Sequence, residues 1–133
     1  MFKTVPCEIS GRSCLLHFSM GVLFDVQEKF GSAQAALDLI MDGGREGFEA
    51  VQWLALRMAR EGEMARRAVG YEPQPLPDDG DVADLIGPRE YTALRTAVIR
   101  ACSLAFSREV ESEDAETDLV ILELAEKKTQ PGS

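Results

Sequence analysis

Few side chains in this sequence could do chemistry, and their spacing limits what chemistry that would be. His17 is the single histidine, and Cys7, Cys14 and Cys102 are the three thiols. A general base needs a nucleophile or a carboxylate within hydrogen-bond reach, and no catalytic motif places one beside His17. We read His17 as a solvent-facing hairpin residue. Cys7, Cys14, His17 and Cys102 together have the atoms of a zinc site, but the closely paired cysteines of structural zinc motifs are missing. As small apolar residues, the same thiols would pack a hairpin against helices. Asp78-Asp79-Gly80-Asp81 lacks the twelve-residue ligand spacing and terminal glutamate of a calcium loop, so the expectation there is a capped, exposed loop. Arg57, Arg60, Arg66 and Arg67 form a basic cluster, which is either a solvated face or a surface that steers an acidic partner. There is no phosphate loop and no GxSxG element. The residues therefore give no positive case for an enzyme, a metal or a cofactor.

Bulk properties narrow the classes further. A chain of 133 residues has room for one domain with one hydrophobic core. Fourteen Lys plus Arg against 23 Asp plus Glu gives a net charge of −9, which disfavours nucleic-acid binding because that depends on neutralising phosphates. Eight acids and three bases fall after Phe106, so the tail carries −5 and the body −4. No apolar run reaches the ~18 residues of a membrane span. The first twenty residues have no basic start followed by an apolar centre and a small-residue cleavage site, so the expected location is cytoplasmic, with reduced thiols.

The positioning elements follow from period and punctuation. The opening FKTVPCEISGRSCLLHFS reads as a hairpin with Ser10-Gly11 at its tip. Pairing positions that sum to 21 (Ile9 with Arg12, Cys7 with Cys14, Val5 with Leu16, Lys3 with Phe18) gathers the apolar residues on one face. Pro6 requires an edge strand or a bulge. Ser19 caps a helix over Met20 to Phe30, whose expected apolar face is Met20, Leu23, Phe24 and Phe30. Gly31 stops that helix, and Ser32 caps a second one, Ala33 to Met41, expected to bury Ala36, Leu37, Ile40 and Met41. After a turn at Asp42-Gly43-Gly44 comes the central helix, Arg45 to Val69. It carries an apolar face of Phe48, Val51, Leu54, Ala55 and Met58, with Trp53 and Leu56 off that stripe. Gly62 is expected to weaken or break it, since glycine costs roughly 1 kcal/mol against alanine in a helix. Tyr71 to Asp81 holds three prolines and reads as an extended loop. A short helix over Asp81 to Ile86 follows. The last helix begins at Pro88 and buries Tyr91, Leu94, Val98, Cys102 and Ala105, with Ile99 and Phe106 beside them.

The expected fold is α+β and predominantly helical, an N-terminal β-hairpin packed on a bundle of four to five helices. Residues 1–107 make the hairpin and helical domain. Residues 108–133 make an acidic linker and a short apolar segment, in which Leu119, Val120, Ile121, Leu122 and Leu124 form a docking or pairing element. A helix that is apolar on most sides is wrapped by other elements or offers a face to a partner. The surfaces expected to bind a partner are therefore Trp53 with Leu56, the Leu85-Ile86 turn, the segment from Leu119 to Leu124, and Arg57 with Arg60.

The order of these elements resembles the tail assembly chaperones of long-tailed bacteriophages and prophages. The stretches that carry the resemblance are CEISGRSCLLHFSMGVLFDVQEKFGSAQAALDLI, AVQWLALRMAREG, the proline-bearing acidic stretch leading to DLIGPREYTALRTAVIRA, and DLVILELAEKK. Together they cover nearly the whole chain as patterns of apolar and turn residues, without an invariant chemical motif. The resemblance implies a non-enzymatic protein of the bacterial host cytoplasm. Such a protein holds the tape-measure protein and helps tail-tube subunits assemble, with self-association open. Some members of that family also have a longer frameshifted form, for which Lys127-Lys128 is a candidate site. Two other classes stay in view: a structural virion protein such as a head–tail connector or tail component, and a small cytoplasmic enzyme with a site of scattered residues.

Overall fold

The computed structural model describes residues 3–106. The expectations for 108–133, including Leu119 to Leu124 and Lys127-Lys128, lie outside the described residues. Strands β1 (Thr4–Ile9) and β2 (Arg12–His17) are followed by helices α1 (Met20–Phe30), α2 (Ala33–Asp42), α3 (Gly44–Ala68), α4 (Asp79–Ala83) and α5 (Pro88–Phe106). The fold is thus α+β and mainly helical, a hairpin packed on five helices. Among the described residues no helix is long and apolar enough to cross a membrane.

The hairpin has the register that its apolar pattern demands: Ile9 pairs with Arg12, Cys7 with Cys14 and Val5 with Leu16. Ser10 and Gly11 both have positive φ, 53° and 79°, as a two-residue primed turn requires. Counting outward from that turn, Pro6 and Leu15 form a non-hydrogen-bonded pair, so the N–H that proline lacks would point away from the partner strand. Val5, Ile9 and Leu16 are buried, and Cys7 and Cys14 pack against the core beside them.

Helix α3 is the centre of the fold and packs against β2, α2, α5, α4 and α1. Its buried face comprises Val51, Leu54, Ala55, Met58 and Ala59, with Phe48 partly covered against Tyr91. The expected break at Gly62 does not occur; α3 runs through it without interruption. A Cβ at this position would lie 1.8 Å from the Leu15 carbonyl oxygen, so the glycine lets the helix press against β2. Gly47 plays the same part at the other end, where a Cβ would come within 2.8 Å of the Leu39 carbonyl oxygen. The local cost of glycine is offset by packing that alanine would exclude.

Three further expectations need correction. On α1 the fully buried residues are Val22 and Val26, while Met20 and Phe24 are 61% and 60% exposed. Two ties to α3 fix this orientation: Asp25 meets Arg57 on one side, and Phe30 meets Trp53 on the other. At 100° per residue, Val22 and Val26 fall between Asp25 and Phe30, and Met20 and Phe24 fall on the opposite side. On α2, Ala36 and Ile40 are buried as expected, but Met41 is exposed and meets the Arg95 guanidinium at its sulfur. The short helix, expected over Asp81 to Ile86, instead runs from Asp79 to Ala83. Asp78 caps it, and Asp78 and Asp81 each accept a hydrogen bond from the other's backbone N–H.

Helix α4 also closes the hairpin tip. Asp81 pairs with Arg12 at 2.7 Å, its carbonyl oxygen accepts from the Ser10 hydroxyl, and Val82 is fully buried. Helix α5 lies against β1 and α3, burying Leu94, Ala97, Val98, Ala101 and Cys102. Ala105 is only partly covered.

Candidate functional site

His17 Nδ1 lies 3.0 Å from the Lys3 carbonyl oxygen, which accepts the hydrogen bond from the Nδ1–H tautomer. Among the described residues no three His, Cys, Asp or Glu side chains come together as a metal-binding group. Cys7 and Cys14 face each other across the hairpin as free thiols, and Cys102 is a free thiol in the core. Burial pushes the Cys7 thiol up to about 12 and the Cys102 thiol up to about 11, and it raises Cys14 as well. Thiolate is the reactive form, so these surroundings suit packing better than nucleophilic work.

The basic cluster is taken up largely within the chain. Arg57 pairs with Asp25 and Glu61, each at 2.7 Å, and Glu61 also accepts from the Ser19 hydroxyl. Ser19 in turn caps α1 through the Val22 N–H, so one network joins the start of α1 to the middle of α3. Burial alone would raise the Glu61 carboxyl, but hydrogen bonds from Arg57 and Ser19 outweigh it and hold it below its ordinary range. Arg60 is exposed and pairs with none of the described carboxylates. Arg66 and Arg67 both pair with Glu63, at 2.8 and 2.9 Å.

Glu63 is the one buried charged residue among those described, at 6% exposure. Besides the two arginines it accepts the Gln74 N–H at 2.7 Å. Arg66 donates to the Glu72 carbonyl oxygen and Arg67 to the Gln74 carbonyl oxygen. These bonds hold the proline-bearing stretch 71–77 across the end of α3. Pro73, Pro75 and Pro77 each set their own φ and push the preceding residue toward extended backbone, so the stretch runs as a strap. Between strap, hairpin and α3 lies a cleft of about 450 Å³, lined in part by Pro6, Ser13, Leu15, Ala59, Glu63 and Leu76.

The residues expected to meet a partner are placed unevenly. Trp53 is half-buried, its ring edge-on to Phe30 at 5.5 Å with the Lys29 ammonium 5.8 Å from its centroid. Leu56 is likewise partly covered and packs against the core. Trp53 and Arg57 both face α1, so two of the named residues join one internal contact. Leu85 is 67% exposed, whereas its neighbour Ile86 packs against the core. An outward apolar pair, Met20 and Phe24 on α1, was not among the expected surfaces. Phe106 is exposed as well, with its ring 5.3 Å from that of Phe18. Sequence pattern held a signal for Glu63, since acid followed by arginines at i+3 and i+4 is a helical ion-pair motif. Its burial and its bond to Gln74 depend on the strap.

Comparison with protein-family models, with curated proteins and with solved structures gives no match.

Proposed function

We propose that this protein is a non-enzymatic tail assembly chaperone of a phage or prophage, binding the tape-measure protein and tail-tube subunits in the host cytoplasm. Its resemblance to that family rests on the hairpin, the helix ending at Phe30-Gly31 and the two later helical stretches. The observation that carries the reading is the exposed apolar row of Met20 and Phe24 on α1. A folded body that keeps large apolar groups in water offers a surface for an aggregation-prone client. Leu85 adds a second exposed apolar point, and Arg60 adds an exposed charge for steering toward acidic stretches.

Co-expression with a neighbouring long tail gene tests the reading. The tape-measure product should remain in the soluble fraction and be recovered with this protein by pull-down. Purified virions containing this chain at stoichiometric copy number, with no binding to tape-measure or tube protein, would establish a structural virion component instead.

A further inference from the structure

Glu63, Arg66 and Arg67 grip the strap in an unusual way: every hydrogen bond they make to it ends on main-chain atoms. Glu63 takes the Gln74 N–H, Arg67 gives to the Gln74 carbonyl oxygen, and Arg66 gives to the Glu72 carbonyl oxygen. The only strap side chain engaged by this group is Tyr71, whose ring lies 5.3 Å from the Arg66 guanidinium and is itself mostly exposed. Leu76 is also partly in solvent, and Gln74, Pro75, Leu76 and Pro77 wall a cleft of about 450 Å³ together with the hairpin and α3. A grip on N–H and C=O groups does not read sequence. It would hold any extended segment that offers one donor flanked by two acceptors at that spacing.

We infer that the surface between β2 and the end of α3 is a groove for an extended peptide segment of a partner protein, covered in cis by residues 71–77. The partner segment fits best with main-chain groups free to meet Glu63, Arg66 and Arg67, and with one apolar side chain directed between Leu15 and Ala59. Prolines are tolerated on either side of the donated N–H, as Pro73 and Pro75 are in the strap. The inference is independent of the chaperone reading, since neither Met20 nor Phe24 lines the cleft.

The probe is a blocked peptide with the sequence of residues 71–77, added to the full-length protein. In the intact chain the strap competes at an effective concentration of roughly millimolar, so micromolar peptide should not bind measurably. Gln74→Pro removes the N–H that Glu63 accepts, and the double variant Pro73→Gly with Pro75→Gly loosens the strap without touching the groove. Either variant should bind the peptide at least ~tenfold more tightly than the intact chain does, because the cis competitor is weakened. Amide chemical shifts should move at Ser13, Leu15, Glu63 and Arg66. A peptide N-methylated at the Gln74 position should lose binding, while replacing its tyrosine by alanine should not. The inference fails if a cooperatively melting variant binds no peptide, or if the N-methylated peptide binds equally well. It also fails if neither variant melts cooperatively, because the strap would then belong to the folding unit.

Discussion

Helix α1 leaves Met20 and Phe24 in water, while the last turns of α3 take a carboxylate out of it. Both places run against the usual sorting of side chains, but they differ in how the misplaced group is satisfied. Glu63 has its acceptors filled within the chain by Arg66, Arg67 and the Gln74 N–H, so its burial is complete as it stands. Met20 and Phe24 have no such answer among the described elements, because α1 is turned with Asp25, Val22, Val26 and Phe30 toward the core. An inward charge that is fully bonded needs no group from outside the chain to satisfy it. An outward apolar row is a surface that gains by being covered.

The strongest test of this contrast acts on the contact that seats α3. Gly62→Ala should gain roughly 1 kcal/mol from helix propensity alone. Against that, the new Cβ would lie 1.8 Å from the Leu15 carbonyl oxygen, a backbone atom with little freedom to move. Overpacking costs typically ~1–3 kcal/mol, and a clash with main chain belongs at or above that upper end. A net loss of stability is therefore expected, read as a lower denaturation midpoint. A more stable variant would show that α3 does not need close approach to β2.

Glu63→Gln should have the next largest effect. Removing one partner of a fully buried ion pair costs ~3–5 kcal/mol. The Arg67 side chain is 41% exposed and that of Arg66 17%, and the solvent screening brings the expectation down to about 2 kcal/mol. Burial alone would raise the Glu63 carboxyl, but the Gln74 N–H, Arg67 and Arg66 outweigh it and hold it below the ordinary glutamate range. A carboxylate with a depressed folded pKa contributes stability that is present above its unfolded pKa and fades as pH falls through the folded value. The native chain should thus lose stability on acidification below the ordinary glutamate range, and the variant should lose less over the same window. Parallel pH profiles would mean that the Glu63 carboxylate does not hold the stretch 71–77 against α3.

The legible part of the fold was the part set by local chemistry. Ser19 and Ser32 at helix starts, Gly31 at a stop, Pro88 at a first turn and the sum-to-21 hairpin pairing each follow from a residue and its immediate neighbours. Facts that depend on a distant partner were hidden. The face that α1 buries was set by Arg57 and Trp53, more than twenty residues away, and two apolar rows of similar strength gave periodicity no means to choose. Gly62 looked like a helix breaker because propensity does not register a strand carbonyl lying against the helix. In the partner-facing set, Arg57 looked free because nothing local revealed Asp25 across the interface.

The smallest expected effect on folding comes from α1. Met20→Gln and Phe24→Ser replace side chains that are already mostly in solvent, and surface changes of this kind usually fall within ~0.5 kcal/mol of neutral. The melting midpoint of the double variant should therefore barely move, while Val26→Ala, one turn past Val22 on the buried side, should lower it clearly. What the double variant should lose is association. If the row is covered by a client or by another copy of the chain, removing it should reduce pull-down of that client, or shift sedimentation toward the mass of a single chain, with the fold intact. The reverse pattern, a lower midpoint with unchanged association, would mean that Met20 and Phe24 are packed inside the folded chain after all. The contrast between a satisfied inward charge and an unsatisfied outward row would then disappear.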